Sequence, residues 1–227
     1  MSVDLVSFGY NRNQIGTGIL HIGVGNFHRA HQAFYTNRLL EDPGQKNWGI
    51  CGLSLLPEDE RIVKPLQLQN NLYTVTVCGR NGNDRAYSIG SLIDLIWAVE
   101  NLEAGIRKFA DKQIKIITCT ITEGGYNIDR STGEFMLGKE QVQHDLNYPD
   151  KPITVFGFVA EGLRSRMKNG AGPVTFLSCD NLQHNGDTAK RVFMSFISAQ
   201  DKELAAWVAQ NVTFPNSMVD RITPATT

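Results

Sequence analysis

An apolar run that stops on Gly-x-Gly is the feature that most constrains what this chain can fold into. Residues 18–24 read Gly-Ile-Leu-His-Ile-Gly-Val, and Gly25 follows at once. A strand ended in this way lets the backbone turn tightly, approach a pyrophosphate and offer it the free N–H groups of a following helix. Beyond the turn, Phe27, Ala30, Phe34 and Leu39 fall near one helical face, while His28, Arg29, Gln32 and Arg38 fall off it. The period predicts a helix there. Position 28 is His, where the dinucleotide fingerprint would place its third glycine. Because a lone Gly-x-Gly also occurs in methyltransferases and in plain tight turns, the turn alone leaves a nucleotide site and a structural turn both open.

Three more runs suit buried strands: Trp48 to Leu55, Ile114 to Ile121 and Val174 to Cys179, each rich in Ile, Leu or Val and bounded by Gly, Pro or Asn. Segments of helical period separate them, at Leu92 to Ala110, Phe156 to Met167 and Asp187 to Val212, the last divided near Ser198 to Asp201. Such alternation predicts an α/β fold with a doubly wound, mostly parallel sheet. Leu72 to Cys78 and Arg85 to Ile89 flank Arg80-Asn81-Gly82-Asn83, whose Asn-Gly pair favours a type I′ hairpin. A turn at Ser131-Thr132-Gly133 suggests a second hairpin within Asp129 to Gly138.

With 227 residues and 41% hydrophobic content, the chain can bury a sizeable core. Its formal charge of -1 supplies no field to attract nucleic acid or an anionic membrane, so a small neutral or singly charged ligand fits better. No apolar run reaches membrane-spanning length and the first residues do not read as a secretory leader. Cys51, Cys78, Cys119 and Cys179 are widely spaced, without a CxxC pair. Three lie in apolar runs where a free thiol behaves as a small hydrophobe, which argues against zinc or a disulfide framework and for a reducing cytoplasm.

Four further patches carry chemistry. Glu58-Asp59 follows the second strand, where a carboxylate in a nucleotide-binding half accepts hydrogen bonds from the adenosine ribose and repels a 2′-phosphate, favouring NAD over NADP. The pair stands further along than the about 20 positions the fingerprint expects, and it reads equally as the acidic start of a helix. Thr120-Ile121-Thr122-Glu123-Gly124-Gly125-Tyr126 lies at the carboxyl end of a strand, where open α/β sheets bind ligands; Glu123 could relay protons, or the segment is an ordinary Gly-Gly turn. Ser178-Cys179-Asp180-Asn181 offers a neutral amide, Asn181, suited to an oxygen that gains negative charge, or to a helix cap. Met218 to Pro224 puts Asp220-Arg221 into an apolar, strand-like run, and buried charges want partners or a function. Arg29 could reach a phosphate or a carboxylate, or simply decorate a solvated helix face. His21, inside the first strand, reads as a satisfied core residue rather than a ligand.

In this order the patches resemble the mannitol dehydrogenase family, polyol-specific long-chain dehydrogenases that also include uronate reductases. The matching stretches are Gly23 to Gln32, Thr120 to Tyr126, Ser178 to Asn181 with Asn185-Gly186, and Met218 to Pro224. The resemblance implies a Rossmann-type NAD(P)-binding N-terminal domain over residues 1–227, with NAD the expected cofactor and NADP less so. It further implies that Gly23, Gly25, Asn26, Phe27, His28 and Arg29 hold the pyrophosphate side, with Thr122 and Gly124 beside them, and that Glu58 and Asp59 read the ribose. By the same resemblance Asn181 is one donor to the reacting oxygen, Asp220 lines the substrate pocket and Glu123 lies on a proton path. The family's general base is a lysine in a Lys-x-x-x-x-Asn-x-x-His pattern on a helical C-terminal domain, and no lysine here has that context. The expectation is therefore a cofactor-binding domain, inactive alone, of an enzyme acting on a polyol or sugar acid of the mannitol/fructose type. Fructuronate or tagaturonate reduction is the alternative within the family, and a noncatalytic nucleotide-binding module or an S-adenosylmethionine-dependent methyltransferase the alternative outside it. A short-chain dehydrogenase is excluded because no tyrosine is followed by the required Tyr-x-x-x-Lys spacing.

Overall fold

The computed structural model describes residues 4–79, 82–129 and 131–224. Among them the strands are β1 (Asp4–Val6), β2 (Thr17–Ile22), β3 (Gly49–Ser54), β4 (Tyr73–Val77), β5 (Arg85–Ile89), β6 (Leu92–Trp97), β7 (Ile116–Cys119), β8 (Val174–Ser178) and β9 (Val212–Thr213). The helices are α1 (Asn26–Ala30), α2 (Gln32–Leu39), α3 (Glu60–Leu68), α4 (Leu102–Phe109), α5 (Thr122–Gly125), α6 (Glu140–Asn147), α7 (Val155–Lys168), α8 (Asn185–Gln200) and α9 (Lys202–Asn211).

Six strands form one all-parallel sheet in the order β6-β3-β2-β7-β8-β9. Strands β2 and β3 are buried at every position, as expected where helices cover both faces. Successive side chains of a strand point to opposite faces, and β2 shows the consequence. Leu20 and Ile22 join a core with Phe109, Phe158, Phe176 and Phe193 from the α4, α7, α8 side, whereas Ile19 joins Ala33, Phe34, Val63 and Leu92 on the α1–α3 side. The winding direction reverses between β2 and β7, which opens a crevice at their carboxyl ends.

The predicted hairpin is present: β4 and β5 pair antiparallel from Tyr73↔Ile89 to Val77↔Arg85. It belongs to a separate three-stranded sheet, β1-β5-β4, completed by parallel pairing of β1 with β5. Of its predicted turn, Arg80 and Asn81 lie outside the described residues. The second hairpin reduces to one bridge, Ile128↔Phe135, because the Asp129 carboxylate gathers the backbone N–H groups of Ser131 and Thr132 into a tight turn.

Leu92 to Ala110 is not one helix. Leu92 to Trp97 forms β6 beside β3, and a helix begins only at Leu102, after the Asn101 side chain caps Ala104 N–H at 2.9 Å. Six apolar-rich residues next to a sheet edge bury Leu92, Leu95 and Trp97 better as a strand, so pairing with β3 overrides the helical period. The helix after Gly25 is likewise two pieces, broken at His31 (φ -113°, ψ -87°). The break predicted within Asp187 to Val212 falls at Asp201, whose side chain caps α9 through Leu204 N–H at 3.0 Å.

Candidate functional site

A cleft of about 460 Å³ opens at the crevice between β2 and β7. Gly23 and Gly25 form one wall, Leu55, Leu56 and Asp59 after β3 a second, Thr120, Ile121, Thr122, Gly124 and Gly125 after β7 a third, and Lys139, Thr154 and Phe156 close the far side. The sequence-predicted glycine turn, the Asp59 carboxylate and the Thr122–Gly124 segment thus meet in one concavity at the topological switch point.

Gly23 is the sharp corner. Its φ is +92°, and a Cβ there would sit 2.3 Å from the Thr120 carbonyl oxygen, so no side chain fits. Gly25 differs: a Cβ built on it meets nothing closer than 4.0 Å and would project into open space. Its glycine matters only if something else comes close.

The Gly23 carbonyl accepts from Gly25 N–H at 2.7 Å, from the Thr120 hydroxyl at 2.8 Å and from His21 Nε2 at 2.9 Å. His21 is fully buried, and burial depresses its pKa to about 3, so the ring is neutral. A carbonyl can only accept, which places the single proton on Nε2 and leaves Nδ1 to accept from the Thr118 hydroxyl 2.7 Å away. His28, buried and stacked on His21 at 3.4 Å, has its pKa held well below the ordinary value by burial and then by the His21 ring. His31 is lowered too, by burial and by Arg221.

Arg29 does not point freely into the cleft. Its guanidinium donates to the Val24 carbonyl at 2.8 Å and to the Asn26 side-chain oxygen, and the Arg29 carbonyl accepts from Tyr73 OH at 2.8 Å. Arg29 therefore braces the corner. Asn26 and Glu58 are exposed, and Glu58 stands outside the cleft lining that includes Asp59. Phe27 is half-buried and stacks on His31.

Asp180 does work that its sequence neighbourhood did not reveal. Nearly buried, its carboxylate accepts from Ile121 N–H at 3.1 Å, Thr122 N–H at 2.9 Å and Tyr126 OH at 2.8 Å. This ties the end of β8 to the end of β7 and holds Thr122 at φ +62°, a backbone region that β-branched residues rarely enter. A lone acidic residue closing an apolar strand was the available signal. Asp145 acts similarly, accepting from Ile153 N–H, Thr154 N–H and the Thr154 hydroxyl, and so fixes the far wall.

Asn181, Glu123 and Asp220 are all exposed and stand outside the cleft lining. Asn181 sits one residue beyond Asp180 at the end of β8. Met218 to Pro224 is not a strand: Met218 and Ile222 are more than 90% exposed, and Asp220 faces solvent rather than a core. Arg221 finds its partners in the Phe34 and Tyr35 rings, 4.9 and 5.5 Å away. The segment is anchored upstream, where buried Asn185 donates to the Ser178 and Asp180 carbonyls and to the Ser217 hydroxyl. Gly186 permits this docking, since a Cβ there would lie 2.3 Å from the Pro215 carbonyl.

The model of the mannitol dehydrogenase Rossmann domain matches residues 17–227. The chain belongs to the mannitol dehydrogenase family. Among curated relatives of this family member, the polyol:NADP oxidoreductase of Gluconobacter oxydans is 44% identical over 217 residues, 95% of this chain and 44% of that protein. Mannitol 2-dehydrogenase of Phaeosphaeria nodorum is 42% identical, across 96% of this chain and 38% of that protein. The solved Pseudomonas fluorescens mannitol 2-dehydrogenase, a ternary complex with NAD and D-mannitol, superposes with a TM-score of 0.95 at 42% identity, covering all of this chain and 46% of the other. The chain thus spans less than half the length of these relatives. Among the described residues, no helix is long and apolar enough to cross a membrane.

Proposed function

We propose that this chain binds NAD in the cleft between β2 and β7 and serves an enzyme that moves hydride between NAD and a secondary alcohol of a polyol or sugar acid. The observation that carries the reading is Gly25: a position with room for a side chain, occupied by glycine, in a cleft that the Asp59 carboxylate also lines. A pyrophosphate approaching the backbone at Gly25 and a ribose reaching Asp59 together span such a cleft. The carboxylate supports NAD over NADP, although relatives carry either cofactor in their names. NAD when bound supplies the hydride acceptor. Gly23, Gly25, Asn26, Phe27, His28 and Arg29 shape the pyrophosphate corner, Thr122 and Gly124 flank it, and Glu58 adds negative potential beside Asp59.

The reaction reading rests on the family. Asn181 is assigned as an amide donor to the reacting oxygen, Asp220 as part of the substrate pocket and Glu123 as a proton-path residue, each at or beyond the carboxyl end of the sheet. The proton-abstracting lysine has no counterpart in this sequence. A helical C-terminal domain of the kind the longer relatives leave room for would bring that lysine, a second amide and most of the polyol contacts. We accordingly infer that residues 1–227 bind NAD(H), turn over no polyol alone, and work in the cytoplasm on a small-molecule substrate.

Calorimetric titration with NADH, NADPH and S-adenosylmethionine tests the cofactor reading. NADH binding is expected, NADPH binding weaker, and Asp59→Ala should shift the NADPH-to-NADH affinity ratio roughly tenfold toward NADPH. Tight S-adenosylmethionine binding without an NADH signal would overturn the assignment, and robust mannitol turnover by residues 1–227 would overturn the division of labour.

A further inference from the structure

Glycine at position 23 makes the tight turn possible, but it also makes the turn ambiguous. A glycine tolerates either orientation of the peptide that follows it. If the Gly23–Val24 peptide turned over, its carbonyl would occupy the edge where its N–H now lies, and a partial negative charge would face an incoming phosphate. Within the turn the Gly25 N–H, 2.7 Å from that carbonyl, already favours one orientation, and contacts from outside the turn reinforce the choice.

We propose that His21 and Thr120 are positioning residues that lock the Gly23–Val24 peptide with its carbonyl turned inward, so that the Val24 N–H edge is presented to the cofactor pyrophosphate. The Gly23 carbonyl is held by both side chains, at 2.9 Å from His21 Nε2 and 2.8 Å from the Thr120 hydroxyl, and those two groups lie 3.2 Å apart. Peptide planarity then directs the Val24 N–H away from His21, and that N–H has no hydrogen-bond partner among the described residues. The lock is itself oriented. The Thr118 hydroxyl holds His21 Nδ1 at 2.7 Å, and His28 covers the His21 ring face. His21 has no exposed surface, so it acts on a ligand only through the peptide it holds.

The inference rests on NAD occupying this cleft, and the test separates the two. NADH and adenosine, which shares the nucleoside but lacks the pyrophosphate, are titrated into the intact chain and into Thr120→Val, Thr120→Ser, His21→Phe and His21→Gln. Thr120→Val and His21→Phe should each weaken NADH about tenfold, the loss expected when one well-made hydrogen bond no longer sets the turn. Adenosine affinity should stay within about twofold, because only the phosphate end has been disturbed. Thr120→Ser and His21→Gln, which keep a donor, should recover most of the NADH affinity, and the double variant should lose less than the sum of the singles. Should His21→Phe prevent folding, Thr120→Val against Thr120→Ser decides the matter. NADH binding unchanged in the donor-less variants, or parallel loss of NADH and adenosine, overturns the lock. An unmodified chain that ignores NADH overturns the cofactor reading and the lock with it.

Discussion

At Gly23 and Gly25, two residues apart, the same amino acid is present for opposite reasons. Gly23 is demanded by the protein itself: Gly23→Ala would place a methyl group 2.3 Å from the Thr120 carbonyl in a backbone region hostile to side chains. We expect it to cost about 2 kcal/mol or more, read as a lowered denaturant midpoint, with or without nucleotide. Asp180 belongs with Gly23. Its carboxylate is what the N–H groups of Ile121 and Thr122 and the Tyr126 hydroxyl bond to, so Asp180→Ala strands two backbone donors, while the Tyr126 hydroxyl keeps Ser178 at 2.6 Å, and should cost about 3 kcal/mol in equilibrium unfolding. A change within experimental error would show that water replaces the carboxylate and that the β7–β8 tie is dispensable.

At the scale of elements, β2 carries a pH dependence. His21 on β2 and His28 on α1 both have pKa values depressed in the fold, His21 to about 3, against about 6.5 in an unfolded chain. As pH falls below about 6.5 the unfolded chain takes up these protons first, so stability present above that pH drains away toward pH 3. Each ring contributes a slope of up to about 1.4 kcal/mol per pH unit. Unfolding midpoints measured from pH 7 to pH 4 should fall accordingly, and a flat profile would contradict the buried, neutral stack. The elements also show what the sequence could and could not reveal. Predominantly apolar runs such as Gly18 to Val24 and Val174 to Cys179 were legible because helices packed on a parallel sheet leave its strands few polar positions. Leu92 to Trp97 was not, since a short apolar run fits either period and only the neighbouring β3 decides it. β1 and β9, at three and two residues, are too short to carry a period. That Gly23 and Gly25 make a tight turn after one strand, with Asp59 following the next, was readable from local chemistry. The work of Asp180 and Thr120 was not, because their partners Thr122 and Gly23 are brought to them by the strand order, 58 and 97 residues away in sequence.

For the whole molecule, the cleft exists because the chain winds outward from β2 in one direction and from β7 in the other, and both halves aim their carboxyl ends at the same opening. The covering helices α6 to α9 follow from the second half, and the separate β1-β5-β4 sheet braces the α1–α2 corner through Tyr73 and Tyr87. Everything that distinguishes a nucleotide site from a structural turn converges on whether a ligand uses the space above Gly25. Gly25→Val tests this most directly, because its φ of -81° and extended ψ are ordinary for a residue with a side chain, and a Cβ there meets nothing closer than 4.0 Å. The measurement is NADH affinity by calorimetry for the unmodified chain and for Gly25→Val, at matched melting temperature. The structure predicts that the unmodified chain binds and that the variant loses at least about tenfold in affinity without losing stability. NADH binding of equal strength in both would contradict it.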